Sequence, residues 1–218
     1  MWLTRLPGVY PPQHDTWLLA NALATAGIRP GADVLDIGCG TGALSIAAAR
    51  TRPRSITAVD ISRRAVLTAR VNATVHGVLA SFQRGDALEL VAGRTFDLVL
   101  ANPPYVPGVA RSPRGRHRAW DAGLDGREML DRLCANAPLL LAPGGTLLVV
   151  HSGLCDEDKT VRQLRGGGLK AAVVARGEAP FGPVMRGRRQ RLCELGLVEP
   201  GQRVEELVVV RGDRPATP

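Results

Sequence analysis

The stretch that most constrains this chain is Ala32-Asp33-Val34-Leu35-Asp36-Ile37, followed without a spacer by Gly38-Cys39-Gly40-Thr41-Gly42. The first six residues read as a buried strand, a short apolar run bounded by turn residues. The glycines permit a tight turn and a close backbone approach, and residues 43–50 read as a helix behind them. A strand, a glycine turn and a helix together make a cradle of main-chain N–H groups at a helix N-terminus, a ready ligand site. Such a unit belongs to an α/β sheet, and the rest of the chain repeats its alternation.

Residues 55–59 form a second strand ending in Asp60, and Ser62 caps a helix running to about residue 76. Residues 80–84 form a short strand ending at Gly85-Asp86, and residues 96–100 lead into Ala101-Asn102-Pro103-Pro104-Tyr105. Residues 127–141 and 156–165 are helical, residues 146–150 a fifth strand behind the Pro143-Gly144-Gly145 turn, and residues 169–175 and 204–210 two more strands. Ahead of the glycine unit, Pro11-Pro12 is an extended lead-in, His14 is exposed, and Asp15 or Thr16 caps a helix to about residue 26. This pattern predicts one α/β domain over residues 1–218, a mostly parallel sheet with helices on both faces. Residues 176–203, rich in Gly, Pro and Arg, show no helical pattern. They are expected to form a basic loop joining a terminal antiparallel pair, and residues 106–125 a long substrate loop.

Composition narrows the class. No apolar run reaches the ~18–20 residues of a membrane span, and the first residues lack the apolar core of a leader, so a cytoplasmic protein without membrane contact is expected. The four cysteines, Cys39, Cys134, Cys155 and Cys193, are scattered and predict buried free thiols and no metal site. The net charge of +8 concentrates in two arginine runs, Arg111, Arg114, Arg116, Arg118 and Arg186, Arg188, Arg189, Arg191. Such runs suit phosphates, and contact with RNA or the ribosome is the expectation they carry.

Candidate site residues collect at the carboxyl ends of the strands, where open α/β sheets bind ligands. Asp60 follows Gly40 by twenty residues, the place from which a carboxylate reaches ribose hydroxyls. Gly38-x-Gly40-x-x-Ala43 also fits a relaxed dinucleotide fingerprint, so the turn alone leaves a nicotinamide cofactor and S-adenosyl-L-methionine both open. Asp36 would repel a pyrophosphate and suits a cationic amino-acid end. Asp86 stands ready for an exocyclic adenine NH2, or is a turn aspartate. Asn102 offers an acceptor and a donor, and Pro103 and Pro104 stiffen the backbone around it. The result is a grip for a planar NH2 group.

Val34 to Gly42, Asp60, Asp86 and Asn102-Pro103-Pro104-Tyr105 resemble a class I S-adenosyl-L-methionine-dependent methyltransferase acting on amino groups. Asn-Pro-Pro-Tyr occurs both in adenine-N6 enzymes and in glutamine-N5 protein enzymes. The flanks Val9-Tyr-Pro-Pro-Gln-His-Asp-Thr-Trp-Leu-Leu19 and Ala119-Trp-Asp-Ala-Gly-Leu-Asp-Gly-Arg-Glu-Met-Leu-Asp-Arg132 are similar to the HemK/PrmC glutamine-N5 methyltransferases. They are closest to the short branch of archaea and eukaryotes, which lacks a helical N-terminal domain.

This resemblance implies a seven-stranded sheet with the last strand antiparallel, and methylation of the glutamine of a Gly-Gly-Gln motif in a peptide chain release factor. It places S-adenosyl-L-methionine against Thr16, Asp36, Gly38, Gly40, Asp60, Asp86, Ala87 and Asn102. It gives Asn102, Pro103 and Tyr105 the chemistry, and Pro104 and Trp120 substrate contacts. Tyr105 and Trp120 each have a plain alternative as core aromatics. Short-branch relatives pair with a small zinc-binding activator, expected here at the edge of the sheet beside the third strand. The rival readings are an adenine-N6 methyltransferase of DNA or RNA, a non-catalytic binding protein and a nicotinamide oxidoreductase.

Overall fold

The computed structural model describes residues 1–107 and 122–216. Helix α1, His14–Thr25, precedes β1, Asp33–Ile37, and α2, Ala43–Ala48. There follow β2, Ser55–Asp60, α3, Arg63–Val75, β3, Ser81–Arg84, the short α4, Ala87–Leu90, and β4, Phe96–Ala101. The chain then forms α5, Glu128–Leu140, β5, Leu141–Ser152, α6, Glu157–Gly166, β6, Lys170–Pro180, α7, Pro183–Glu194, and β7, Val204–Asp213.

The seven strands lie in the order β3-β2-β1-β4-β5-β7-β6. The pairs from β3 through to β5 are parallel, and β7 runs antiparallel between β5 and β6. This is the expected sheet. Both its faces are covered, which is why the central strands read as unbroken apolar runs rather than alternating ones. Along β1, Val34 packs with Leu19 and Leu23 of α1 and Leu44 of α2, while Leu35 packs with Leu130 and Leu133 of α5 on the other face. Burying Leu19, Leu98, Leu100 and Leu148 against one another contributes on the order of 1.5–3 kcal/mol each. That packing holds the start of α1 over the sheet centre, beside the end of β4.

The structure corrects the sequence reading in four places. Residues 176–203 are not a loop: β6 continues to Pro180 and α7 fills most of the remainder. Only Met185 and Leu192 of α7 are buried, so a one-residue-per-two-turns apolar stripe in an arginine-rich segment gives almost no periodic signal. Pro183 at its first turn and four arginines, good helix formers, favour it nonetheless. Neither Asp15 nor Thr16 caps α1; the N-cap is Gln13, and both side chains are buried in the first turn. Helix α4, unseen in sequence, is capped by Asp86. Strand β5 begins at Leu141, upstream of the expected turn, with Gly145 so close to the carbonyls of Ala142 and Phe96 that a side chain would meet both at 2.8 Å. Trp120 and the arginines at 111–118 lie outside the described residues, as do residues 108–121 of the expected substrate loop.

Candidate active site

The glycine turn leaves β1 as the sequence predicts. Gly38 and Gly40 have φ of 71° and 53°, values that a side chain would strain. The main-chain N–H groups of Gly38 and Cys39 donate to the Val59 carbonyl at 2.8 and 3.1 Å. Asp60, at the end of β2, accepts from Gly40 N–H at 3.0 Å through one carboxylate oxygen and from Ser62 N–H at 2.8 Å through the other. Burial pushes the Asp60 pKa up against the pull of those two donors. Each of its oxygens keeps a lone pair for a ligand hydroxyl.

Asp86 ends the β3 connection with two jobs already. Its Oδ1 accepts from Leu88 N–H at 3.0 Å, capping α4, and its Oδ2 pairs with Arg132 at 2.9 Å. Between these groups opens a cleft of about 670 Å³, walled also by Thr16, Ala87, Asn102, Pro103, Pro104 and Met129. Asp36 is not on its wall. The side chain is fully enclosed, takes the Ser45 hydroxyl on Oδ2 at 2.5 Å, and leaves Oδ1 without a partner. Burial lifts its pKa to about 6. Asp36 thus stands behind the glycine turn, with Ser45 of α2 on one carboxylate oxygen and the other unpaired.

Asn102 follows β4, whose register sets Ala101 opposite Ile37 and so brings Asn102 against Gly38. Its amide orientation follows from a chain of donors. Thr16 gives both its N–H and its hydroxyl to Asp15 Oδ1, at 2.6 and 3.2 Å. With its proton spent on a carboxylate, the Thr16 oxygen can only accept, so Asn102 must turn its NH2 toward it, at 3.3 Å. Asn102 Oδ1 then points away from Thr16 as an acceptor. Asp15 Oδ2 takes the hydroxyls of Tyr10 at 3.0 Å and Tyr105 at 3.1 Å. Burial first, and the Asp15 charge second, push both phenol pKa values well up, so both stay protonated donors. Tyr105 is thus a buried strut tied to Asp15, and its ring still faces a cavity.

That cavity is small, about 80 Å³, and lies across Asn102-Pro103-Pro104 from the cleft. Its far wall is Ala179 and Pro180 at the end of β6, Pro183 to Met185 of α7, and Glu205 and Leu207 of β7. Arg188 of α7 donates to the Pro107 carbonyl at 2.9 Å, fastening this wall to the strand that leaves Tyr105. The segment past the undescribed residues is pinned as well. Gly126, at φ 75°, lies where an added Cβ would meet the Tyr105 carbonyl at 2.4 Å. Buried Arg127 donates to the carbonyls of Cys155 and Asp156, to Thr160 and to Gln163, and pairs with Asp131 at 2.9 Å.

The structure therefore brings Thr16, Gly38, Gly40, Asp60, Asp86, Ala87, Asn102, Pro103, Pro104 and Tyr105 to two adjoining cavities, and leaves Asp36 outside them. Tyr10, Asp15 as a hub, Arg127 and Glu205 carry no role in the sequence reading. Tyr10 and Asp15 sit in the quoted Val9–Leu19 flank, so a signal existed for them; Glu205, one of two adjacent glutamates ahead of the apolar run of β7, offers none.

Comparison with known proteins identifies the family. Residues 1–168 match the family model of the methyltransferase small domain. A Methanocaldococcus jannaschii protein named for N5-glutamine methylation is 39% identical over 181 residues, covering 82% of this chain and 90% of that one. A Deinococcus radiodurans release factor glutamine methyltransferase is 38% identical over 146 residues, covering 64% of this chain but 52% of the relative, so the chain spans about half of that bacterial protein. Among solved structures, the Encephalitozoon cuniculi Mtq2–Trm112 complex, described as methylating the translation termination factor eRF1, superposes with a TM-score of 0.67 at 22% identity. That match covers 95% of this chain and 99% of the other.

Proposed function

The chain belongs to the methyltransferase small-domain family, and from that premise we propose that it methylates the side-chain amide nitrogen of a glutamine in a release factor's Gly-Gly-Gln motif, with S-adenosyl-L-methionine as methyl donor. The observation that carries this reading is the Asn102 wall. One side of it faces a cleft of about 670 Å³ and the other a cavity of about 80 Å³.

The cleft fits the donor by its own residues: a glycine turn without side chains, Asp60 with spare lone pairs for ribose hydroxyls, and Asp86 and Ala87 at the adenine end. When bound, the donor supplies a methyl group made electrophilic by a positive sulfur. The protein's task is to prepare the amide, a poor nucleophile whose lone pair is delocalised. Asn102 Oδ1 and the Pro103 carbonyl accept its two hydrogens, fixing the nitrogen and concentrating electron density on it. Thr16 and Asp15 hold Asn102 in that orientation beforehand, so little reorganisation remains at the moment of reaction. Orientation of this kind is worth several kcal/mol, about 7–11 in the best intramolecular cases.

A small activator subunit fits the β3 edge. Leu67, Val71 and Val75 stand exposed at successive turns of α3, and Leu79, 94% exposed, precedes β3, the last strand of the sheet. Binding there should slow amide exchange in residues 81–84. Contact with ribosomal RNA is assigned to the exposed arginines of α7, the helix whose Pro183 to Met185 line the small cavity.

The test is transfer of labelled methyl from the donor to a release factor, to the same factor with the motif glutamine changed to alanine, and to DNA and RNA. Label on the first alone is expected. Label confined to nucleic acid would sink the protein-amide reading in favour of the adenine one.

A further inference from the structure

Among the described residues three buried side-chain atoms lack a hydrogen-bond partner: Asp36 Oδ1, His151 Nε2 and Glu205 Oε2. Only Glu205 lines either cavity. It stands near the start of β7, 6% exposed, on the wall of the small cavity that also holds Tyr10 and Asn102. The Ser152 hydroxyl bonds its carboxylate, yet burial and the nearby Asp15 charge push its pKa up. An unfilled acceptor in such a place is a costly group that a donor from a ligand would complete. Among its polar neighbours in the wall, Asp15 already accepts four hydrogen bonds, and Asn102 has one NH2 hydrogen on Thr16.

We propose that Glu205 is a substrate-binding residue, its free carboxylate oxygen accepting a main-chain N–H of the peptide that carries the target amide. The assignment rests on the protein-glutamine reading above. A carboxylate accepts only, so its partner must be a donor. A volume of about 80 Å³ is on the scale of one peptide unit. The glycines beside a Gly-Gly-Gln glutamine present N–H groups with nothing attached to obstruct them. One such bond would fix the register of the peptide, so that the glutamine and not its neighbour meets Asn102.

The experiment uses the full chain, with its activator subunit if turnover requires one, a Gly-Gly-Gln peptide, and peptides in which each main-chain N–H near the glutamine is replaced in turn by an ester oxygen. Glu205→Gln keeps the volume but turns a donor toward the substrate donor. It should raise KM for the amide peptide at least about tenfold, the scale of a hydrogen bond to a charged group, with kcat and donor affinity little changed. One ester peptide should show the same KM loss with the unaltered protein, and no further loss with Glu205→Gln. Glu205→Met, run in parallel, removes both donor and acceptor and should behave alike. An unaltered protein insensitive to every ester overturns the assignment without recourse to any variant. So does a KM unchanged in both variants, or an effect seen only with peptides carrying Lys or Arg beside the glutamine. If the unaltered protein methylates no Gly-Gly-Gln substrate at all, the protein-amide reading itself has failed, and this assignment with it.

Discussion

The large cleft and the small cavity share Tyr10, Asn102, Pro103 and Pro104, but different bonds hold them. Around the cleft the donors are main-chain N–H groups: Gly38 and Cys39 to the Val59 carbonyl, Gly40 and Ser62 to the Asp60 carboxylate, Leu88 to that of Asp86. Around the small cavity they are side chains: Tyr10 and Tyr105 on Asp15, Arg188 on Pro107, and Ser152 on a half-satisfied Glu205. A site laced by main-chain groups survives many substitutions and suits a ligand shared by many proteins. A site laced by side chains is remade by one or two changes and suits a particular substrate.

Asn102, on the common wall, gives the sharpest way to break this division. Asn102→Ala should lower kcat by about 10³-fold, the scale of losing a preorganised polar group at a reacting centre. Donor affinity, carried by the main-chain cleft, should hold within about threefold, since a neutral acceptor is lost while the glycine turn and Asp60 remain. Calorimetric donor titration beside single-turnover kinetics checks both numbers. Parallel loss of the two would mean that the cavities are not separable.

The same contrast explains what could be read without coordinates. The strand–turn–helix at Ile37 to Ala43 is local, and its glycines announce the conformation they serve. The sheet order follows from alternation and from right-handed crossovers. By contrast, the Asp15 hub joins residues ninety positions apart, Asp15 and Tyr105. Local chemistry suggested a cap for Asp15, but Gln13 starts the helix and burial gave the carboxylate to two phenols instead. The burial of Asp36 and its bond to Ser45 depend on side-chain direction, which spacing does not reveal. Helix α7 buries Met185 and Leu192 alone among its described side chains, too little apolar surface to mark a helix in one sequence.

Asp36 tests how far the cleft side is a matter of structure alone. Its pKa is raised from 3.8 to about 6, so the native state holds a proton through the window that the unfolded chain has already left. That contribution is full below about pH 4 and is lost as pH rises through 6, so stability declines over the interval. Asp36→Asn, which can still accept the Ser45 hydroxyl, should flatten the slope and be more stable at pH 7.5 by up to about 3 kcal/mol. Asp60 and Glu205, raised in the same direction, leave a residual slope. Urea melts at pH 4.5 and 7.5 decide it; a variant less stable at 7.5 would show that the ionised carboxylate has a partner within the fold.

On the small-cavity side, Tyr10→Phe removes one of the two hydroxyls on Asp15 Oδ2. The Thr16 chain remains, so Asn102 keeps its orientation but Asp15 is held by three donors rather than four. A hydrogen bond to a charged carboxylate is worth ~1.5–3 kcal/mol, and with the other three donors keeping Asp15 in place only part of it reaches Asn102, so kcat should fall about three- to tenfold. Asp15→Asn in the same assay should be worse, because an amide cannot accept at both oxygens. Equal kcat for Tyr10→Phe and the unaltered protein would detach the phenol from Asn102.

The smallest effect belongs to α7, where the wall of the small cavity becomes the outer surface. Arg186 and Arg189 are exposed one turn apart, while Arg188 is committed to Pro107 and Arg191 pairs with Glu194 at 3.1 Å. Replacing Arg186 and Arg189 by Gln keeps helix propensity and should move stability by no more than about 0.5 kcal/mol. A short Gly-Gly-Gln peptide reaches the cavity without touching these arginines, so its KM should not change. A ribosome-bound release factor would place phosphates near them, and there KM should rise a few-fold at low salt. Screening with a Debye length of about 8 Å at 0.15 M ionic strength should then narrow the gap. If the peptide suffers as much as the ribosomal substrate, these arginines act on the cavity itself, and the boundary between its wall and the outer surface lies further out than α7.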